Sequence, residues 1–520
     1  MSDAAEMHYR NSKKMCMSIV CLLGLLAYFI QSLGLLNSDA ASLLYDTKLL
    51  LAGGHYVKDF FETNPPLILY IYSPVILLEK LTLFNLASLF RIYVIFSAII
   101  SIACCATLLN WVCAKKEEHL IFEVFVYMLA FILLFLPANE FGQREHFLMI
   151  FMLPYLFSAV LAAKSKKIPF FFACLIGLMG GFGFGLKPYF LGSVILIELY
   201  FIFSKRQLFA WVRVESVACI LVLIVYLASI FIFQPNYINT MLPLISHLYF
   251  VSIKESWPTI FYRPSVIFCF LVWAYYFFIF HKNSQSELVT ILMLALTGMI
   301  IAFIVPRSAW YYHVLPAFGL ACLLASFYIC HALTVPLNEG MLSKIDVFVI
   351  IAASFFVFSI PLEYAFLNTE KAILEKNNSD FRLLTAYINS LPVFRSLYCF
   401  SSNTTRDCFP LIYQTHSEFA SRFPLFWWLR GLIKIENNGG AKPLPLFLAQ
   451  DKKYLIDAIA DDLTQHHAKI VIINNLLTTW ELGSNFNFIS YFSTNKKFRT
   501  AWRSYHYLAS IGIYTLYVRS

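Results

Sequence analysis

Long apolar stretches, separated by short polar ones, run along the first two-thirds of this chain. The first follows Lys13 and Lys14 and extends from about Met15 to Leu36. Further apolar windows centre near residues 101, 128, 155, 176, 197, 221, 272, 295, 321 and 355. A helix that crosses a bilayer needs about 20 apolar residues, so the pattern predicts about 11 membrane spans. The first window is long for a signal h-region and lacks a small-residue cleavage site, so it reads as a retained span. Leu67 to Leu78 is too short, contains Pro74 and follows Pro65-Pro66; it reads as a re-entrant or surface helix.

Beyond about Leu367 the pattern changes. Helical periodicity at Phe381 to Leu391 and Tyr454 to His466 alternates with strand-like runs at Ser396 to Phe400, Lys469 to Asn474 and Tyr505 to Arg519. This divides the chain into a multispan part, 1–366, with a first outer loop at about 37–90, and a small α/β domain, 367–520. No internal repeat or low-complexity segment is present.

Composition and charge turn this pattern into an orientation. At 60% hydrophobic and 13% charged residues the chain is too apolar for a soluble globule, and its few charges must be accommodated individually. The net charge of +9 is spread over short loops, without a basic stripe interleaved with aromatics, which excludes a nucleic-acid partner. Lys115-Lys116, Lys164 to Lys167, Lys205-Arg206 with Arg213, and His281-Lys282 all fall on one side when Leu67 to Leu78 does not cross. The positive-inside rule then puts the N-terminus inside and the C-terminus outside. A count of twelve spans would place either the basic loops or the tail on the wrong side. No Cys-x-x-Cys occurs; Cys399 and Cys408, both in the polar tail, are the one pair whose bridging would imply an oxidising compartment.

The unusual polar residues collect on the outer loops. Asp39 follows the first span and opens a helical pattern, Ala40 to Ala52, that Gly53-Gly54 ends; its plainest role is an N-cap. Asp46, Asp59 and Glu62 add carboxylates to the same loop. Gly142-Gln143-Arg144-Glu145-His146 places three ionisable residues at the outer end of a span, where interfacial anchoring is the ordinary explanation. Lys187, after a glycine-rich span, either snorkels to the surface or offers a cation to a phosphate. The glycines Gly177 to Gly185 suit close helix packing better than a nucleotide loop. Arg307 and His313 flank Trp310-Tyr311-Tyr312, an aromatic belt in which both could meet an anionic headgroup. Carboxylates and cations on one membrane face are what transfer from a phosphate leaving group needs: a base for the attacking hydroxyl, and positive charge for the departing phosphate.

These motifs resemble those of the GT-C superfamily of polyprenyl-phosphate-sugar-dependent glycosyltransferases. The nearest branch is the bacterial group of aminoarabinose transferases, Rgt-type core glycosyltransferases and protein O-mannosyltransferases. The matching residues are Ser38-Asp39, Ala52-Gly53-Gly54-His55-Tyr56, Asn64-Pro65-Pro66-Leu67, Gln143-Arg144-Glu145-His146, Leu186-Lys187-Pro188 and Tyr312-His313-Val314-Leu315-Pro316. The resemblance covers about residues 15–366. It implies a GT-C-like, α-helical polytopic membrane protein with a small extracytoplasmic α/β domain.

It also implies Asp39 as the base or acceptor-orienting group, with Glu145 (or Glu140) as the second acid. Glu62, Arg144, His146, Lys187, Arg307 and His313 become substrate-binding candidates. Only one acid stands at Asp39, so the O-mannosyltransferase branch fits less well. No oligosaccharyltransferase-like motif marks the tail, which argues against en bloc glycan transfer. Some members work without a metal and others hold one through loop acids, which leaves a divalent metal open.

The expected activity is transfer of one sugar, with inversion, from a polyprenyl-phosphate donor to a hydroxyl of a cell-envelope acceptor (glycolipid, glycan or protein). It would take place at the periplasmic face of the bacterial inner membrane. A flippase for lipid-linked sugars, a surface-polysaccharide polymerase or ligase, and a non-catalytic scaffold are the alternatives. The flippase would favour charged or broken helices near the midplane and inverted repeats, and the sequence carries neither.

Overall fold

The computed structural model describes residues 3–112, 119–280, 286–308, 310–338, 344–391, 395–402, 408–439, 443–466, 468–475, 482–483 and 486–520. Every apolar window of the sequence is helical. Among the described residues seven helices are long and apolar enough to cross a membrane, and several shorter apolar helices lie among them. The protein is an α-helical, multi-pass membrane protein with a small C-terminal sheet domain. The expected basic clusters Lys115-Lys116 and His281-Lys282 lie outside the described residues.

The chain divides into two compact units. The first comprises residues 1–33, 83–227 and 255–372. It contains α1 (Asp3–Leu33), α4 (Leu86–Val112), α5 (His119–Leu134), α6 (Arg144–Ala163), α7 (Phe170–Phe184), α8 (Leu191–Lys205), most of α9 (Val214–Phe233), and the helices Pro264–Tyr275, Glu287–Ile304 and Leu315–Asn338. The helices α2 (Ser38–Leu51) and α3 (Leu67–Glu79) belong to the second unit.

Helix α6 is central to the first unit, with nearly all of its residues buried. Water contributes nothing to helix association in lipid, so close backbone approach and polar stitches do the work. The glycines of α7 supply the approach. A Cβ on Gly180 would lie 2.8 Å from the Tyr155 ring of α6. One on Gly177 would lie 2.4 Å from the Glu215 carbonyl oxygen of α9. The stitch is Arg213, whose Nη1 and Nη2 donate to the two oxygens of Glu198 at 2.9 and 2.8 Å while Nε donates to Glu215 at 2.9 Å. Lys166 donates to the Trp111 carbonyl and Lys205 to the Ala162 carbonyl. The ends of α4, α6 and α8 therefore meet on a side rich in Lys and Arg. The start of α6 and the segment after α7 form the other side.

The second unit joins residues 34–82, 228–254 and 373–520. Its sheet has the order β2-β1-β3-β5-β4, with β1 at Ser396–Phe400, β2 at Glu418–Phe419, β3 at Ile470–Asn474, β4 at Tyr505–Ile511 and β5 at Tyr514–Arg519. The first three strands are parallel, and β4 and β5 form an antiparallel hairpin against β3. β1 and β3 are buried along their whole length, as interior strands of an α/β domain are. The sequence runs marked β1, β3 and the hairpin closely; the two-residue β2 has too short a pattern to register. Cys399 and Cys408 are joined by a disulfide that closes the segment after β1.

The first outer loop belongs to this unit's core. Helix α2 (Ser38–Leu51) places Ala41 in the same buried cluster as Leu384, Leu397, Phe409 and Ile472 of the tail. Its Tyr45 hydroxyl donates to the Phe419 carbonyl, and Tyr413 of the tail donates back to the Ala41 carbonyl. The segment Leu67 to Leu78 forms α3 (Leu67–Glu79), with Pro74 inside it.

Candidate functional site

In the first unit, three separate sequence motifs bring their polar residues to one place. Glu145 lies in the first turn of α6 and is wholly buried. Lys187, between α7 and the 3-10 turn Pro188–Phe190, donates through Nζ to Glu145 Oε1 at 2.5 Å. The same Nζ lies 3.3 Å from Nε2 of His313. The other ring nitrogen, Nδ1, is hydrogen-bonded to the Ser308 hydroxyl. An ammonium can only donate, so His313 accepts through Nε2 and carries its proton on Nδ1. The result is a chain Glu145–Lys187–His313–Ser308 linking three spans.

The rings of Tyr189, Phe190 and Tyr312 stand 5.7, 5.9 and 5.4 Å from Nζ and form a cation–π sleeve around the ammonium. Glu145 Oε2 is buried and has no hydrogen-bond partner among the described residues. An orphaned carboxylate oxygen of that kind costs free energy unless a donor arrives. Arg144, also buried, lies within electrostatic reach of Tyr189 and His313.

Two expected residues are also tied to the backbone around them. His146 accepts from the Gly142 N–H at 2.9 Å and donates to the Leu133 carbonyl at 2.8 Å. Both ring nitrogens hold backbone, so His146 fixes the turn into α6. That turn needs Gly142, with φ +80 and the Phe90 ring 2.4 Å from where a Cβ would stand. Arg307, itself at φ 49, donates to the Glu255 carbonyl at 3.0 Å and lies 4.3 Å over the Trp257 ring. Arg263, 4.1 Å over the Tyr311 ring, repeats the arrangement nearby.

In the second unit, Asp39 is half-buried in the first turn of α2. It is not the N-cap. Asn37 caps the helix, its side-chain oxygen accepting from the N–H groups of Asp39 and Ala40 at 3.0 and 3.1 Å. The capping expectation therefore moves two residues back. The Asp39 carboxylate stands at the N-terminal end of α2.

Glu62 is buried, and its Oε1 accepts from the Asn64 N–H at 2.8 Å, as well as from the Asn64 amide and the Thr63 hydroxyl. Asp46 is fully buried, and its Oδ2 has no partner among the described residues; burial, with Glu62 nearby, pushes its carboxyl well above the usual carboxylate range. Among the described residues no three His, Cys, Asp or Glu side chains form a ready-made metal cage.

No sequence family matches the chain, and no curated protein matches it in sequence. Solved structures do match it in three dimensions. ArnT from Cupriavidus metallidurans bound to undecaprenyl phosphate aligns over 96% of this chain and 97% of its own, with a TM-score of 0.54 at 11% identity. The apo state of ArnT aligns over 97% and 98%, with a TM-score of 0.56 at 11% identity. The oligosaccharyltransferase AglB from Archaeoglobus fulgidus aligns more loosely, with a TM-score of 0.44 over 96% of this chain and 74% of its own at 11% identity; that match is too loose to weigh. At this identity the likeness speaks for the fold alone: the chain shares the fold of ArnT over 96–97% of its length.

Proposed function

We propose that this protein is an integral membrane glycosyltransferase that moves one sugar from a polyprenyl-phosphate donor to an acceptor hydroxyl of the cell envelope. The observation that carries the reading is the end-to-end likeness to ArnT, a protein seen with undecaprenyl phosphate bound. The buried Glu145–Lys187–His313 chain supports it, because a buried ammonium surrounded by aromatic rings is suited to a lipid phosphate. A lipid-linked donor keeps its tail in the bilayer and its phosphate at the interface.

Each role is assigned within its own unit. The Asp39 carboxylate accepts the proton of the acceptor hydroxyl. The hydroxyl oxygen forms a bond to the anomeric carbon as the bond from that carbon to the phosphate oxygen breaks, with inversion. Lys187 and Arg144, with Arg307 and His313, are assigned to the phosphate, which leaves as polyprenyl phosphate. Glu145 holds Lys187 in place through Oε1, and its unpartnered Oε2 is available to a donor hydroxyl. Glu62 is assigned to the acceptor, held in place by the Asn64 N–H on its Oε1. The acceptor classes are a glycolipid, a glycan or a protein, and the site is assigned to the periplasmic face of the inner membrane.

The test is Asp39→Asn in membranes supplied with a radiolabelled polyprenyl-phosphate sugar. Transfer falls by a factor of about 10² or more, the range of a lost general base, while the protein stays folded. Activity near that of the unaltered protein sinks the base assignment. Movement of the lipid across the bilayer with no new glycosidic bond would point to a flippase instead.

A further inference from the structure

The tail grips one turn of the first outer loop. Residues His55 to Phe60 form a tight knot: the Val57 N–H donates to the Phe60 carbonyl at 2.7 Å, and the Asp59 N–H to the His55 carbonyl at 3.0 Å. Asp59 also caps the His55 N–H with its carboxylate at 2.8 Å. The knot holds Val57 at φ 73. A β-branched side chain rarely adopts that left-handed conformation, and it persists only where the surroundings over-determine it.

Three tail residues supply that constraint. Arg422 Nη1 donates to the Val57 carbonyl at 3.2 Å. The Phe423 ring packs 4.7 Å from Phe61, and Trp427 stacks on the same ring at 6.0 Å. Arg422 is itself fixed. Its Nε donates to Asp462 Oδ1 at 2.8 Å and its backbone N–H to Oδ2 at 2.9 Å, with the Asp462 side chain fully buried. From the 228–254 segment, Gln234 accepts the Tyr56 N–H and Tyr237 packs on the Tyr56 ring. The knot leads directly into Glu62.

We propose that Arg422 is a positioning residue: by holding the Val57 carbonyl it keeps the first-loop knot in its left-handed form and so sets the path of the chain into Glu62. Only the catalytic meaning of Glu62 rests on the glycosyltransferase reading; the clamp itself does not. A purely structural Arg422, serving the tail through Asp462, predicts a different outcome.

Lys58 is exposed in the knot, so trypsin cleavage after it reports opening in the full-length protein in detergent micelles. Arg422→Gln is expected to speed that cleavage tenfold or more. Arg422→Lys, which keeps a cation for Asp462 but is too short to reach Val57 as well, is expected to do the same. In both variants cleavage at Arg430 and Lys434 of the Trp427–Gly439 helix stays at the unaltered rate, which shows the tail intact.

Glycine adopts φ 73 without strain. Adding Val57→Gly to Arg422→Gln is therefore expected to return Lys58 cleavage to within about threefold of the unaltered protein. Unchanged cleavage at Lys58 in both arginine variants, or no restoration by Val57→Gly, overturns the proposal. Loss of sugar transfer in the unaltered protein would overturn the glycosyltransferase reading and leave the cleavage result standing.

Discussion

Lys187 and Glu145 form an ion pair in which each side chain is at most 5% exposed. Removing one charge strands the other in a low-dielectric interior, a loss of about 3–5 kcal/mol, whereas removing both together is far milder. Glu145→Gln and Lys187→Met should therefore each lower the melting temperature in detergent sharply. The double variant should melt closer to the unaltered protein than either single one. It should still fail to bind polyprenyl phosphate. A double variant that melts at the sum of the single losses would show the two residues to be independent.

Asp46 gives a prediction of pH dependence. Its carboxyl keeps its proton in the folded protein at pH values where the unfolded chain has already released it. The folded state then binds more protons, so stability falls as pH rises above about 4, the ordinary aspartate value. Asn cannot titrate. Asp46→Asn should match the unaltered protein near pH 4 and exceed its melting temperature increasingly toward pH 8; parallel curves would refute the assignment.

Such residues differ in how legible they were. Lys187, Glu145 and His313 stand out in sequence because a charge at a span end needs a reason. Arg422 and Asp46 do not, since an arginine in a polar tail and an aspartate on a loop helix look like solvated surface. The N-cap was missed by two positions because Asn37, Ser38 and Asp39 are all capping residue types, and only the register of the first turn chooses among them.

The apolar windows were readable because lipid forces every backbone hydrogen bond inside its own segment, leaving helices as the solution. The segment from Gln234 to Arg263 read as a plain outer loop. It contains wide π turns at Tyr237–Met241 and Ile245–Tyr249 and short helices up to Phe261, and such turns have no sequence period that marks them. Helix α7 shows a pattern that could be seen but not aimed: its glycines announced close packing without naming the partners. Gly180 and Gly183 take α6, and Gly177 and Gly181 take α9. Gly177→Val would press on the α9 backbone, and overpacking of this kind costs about 1–3 kcal/mol. The variant should lose thermal stability in detergent, and Gly192→Ala, where a Cβ meets only one atom at 3.8 Å, should not.

The disulfide and the charge distribution make independent statements about orientation. A Cys399–Cys408 bridge persists in an oxidising compartment, and the Lys/Arg-rich helix ends favour the cytoplasmic side. Together they support the proposal that the tail lies outside. Alkaline phosphatase joined after Ser520 should be active in cells and a green fluorescent protein there dark. Cys399 and Cys408 should take up a maleimide only after reduction. The opposite reporter pattern would invert the topology.

That the first outer loop shares its core with the tail has a consequence for how the protein is made. The loop leaves the ribosome about 370 residues before the tail residues it packs on, a gap of about 20–75 s at ordinary elongation rates. During that interval Ala41, Tyr45 and Phe61 have no tail to bury them. The segment bearing Asp39 must wait unfinished, open to chaperones and proteases. Synthesis itself thus imposes an order: the spans can be inserted early, but the first loop acquires its folded form only when the last strands have been made.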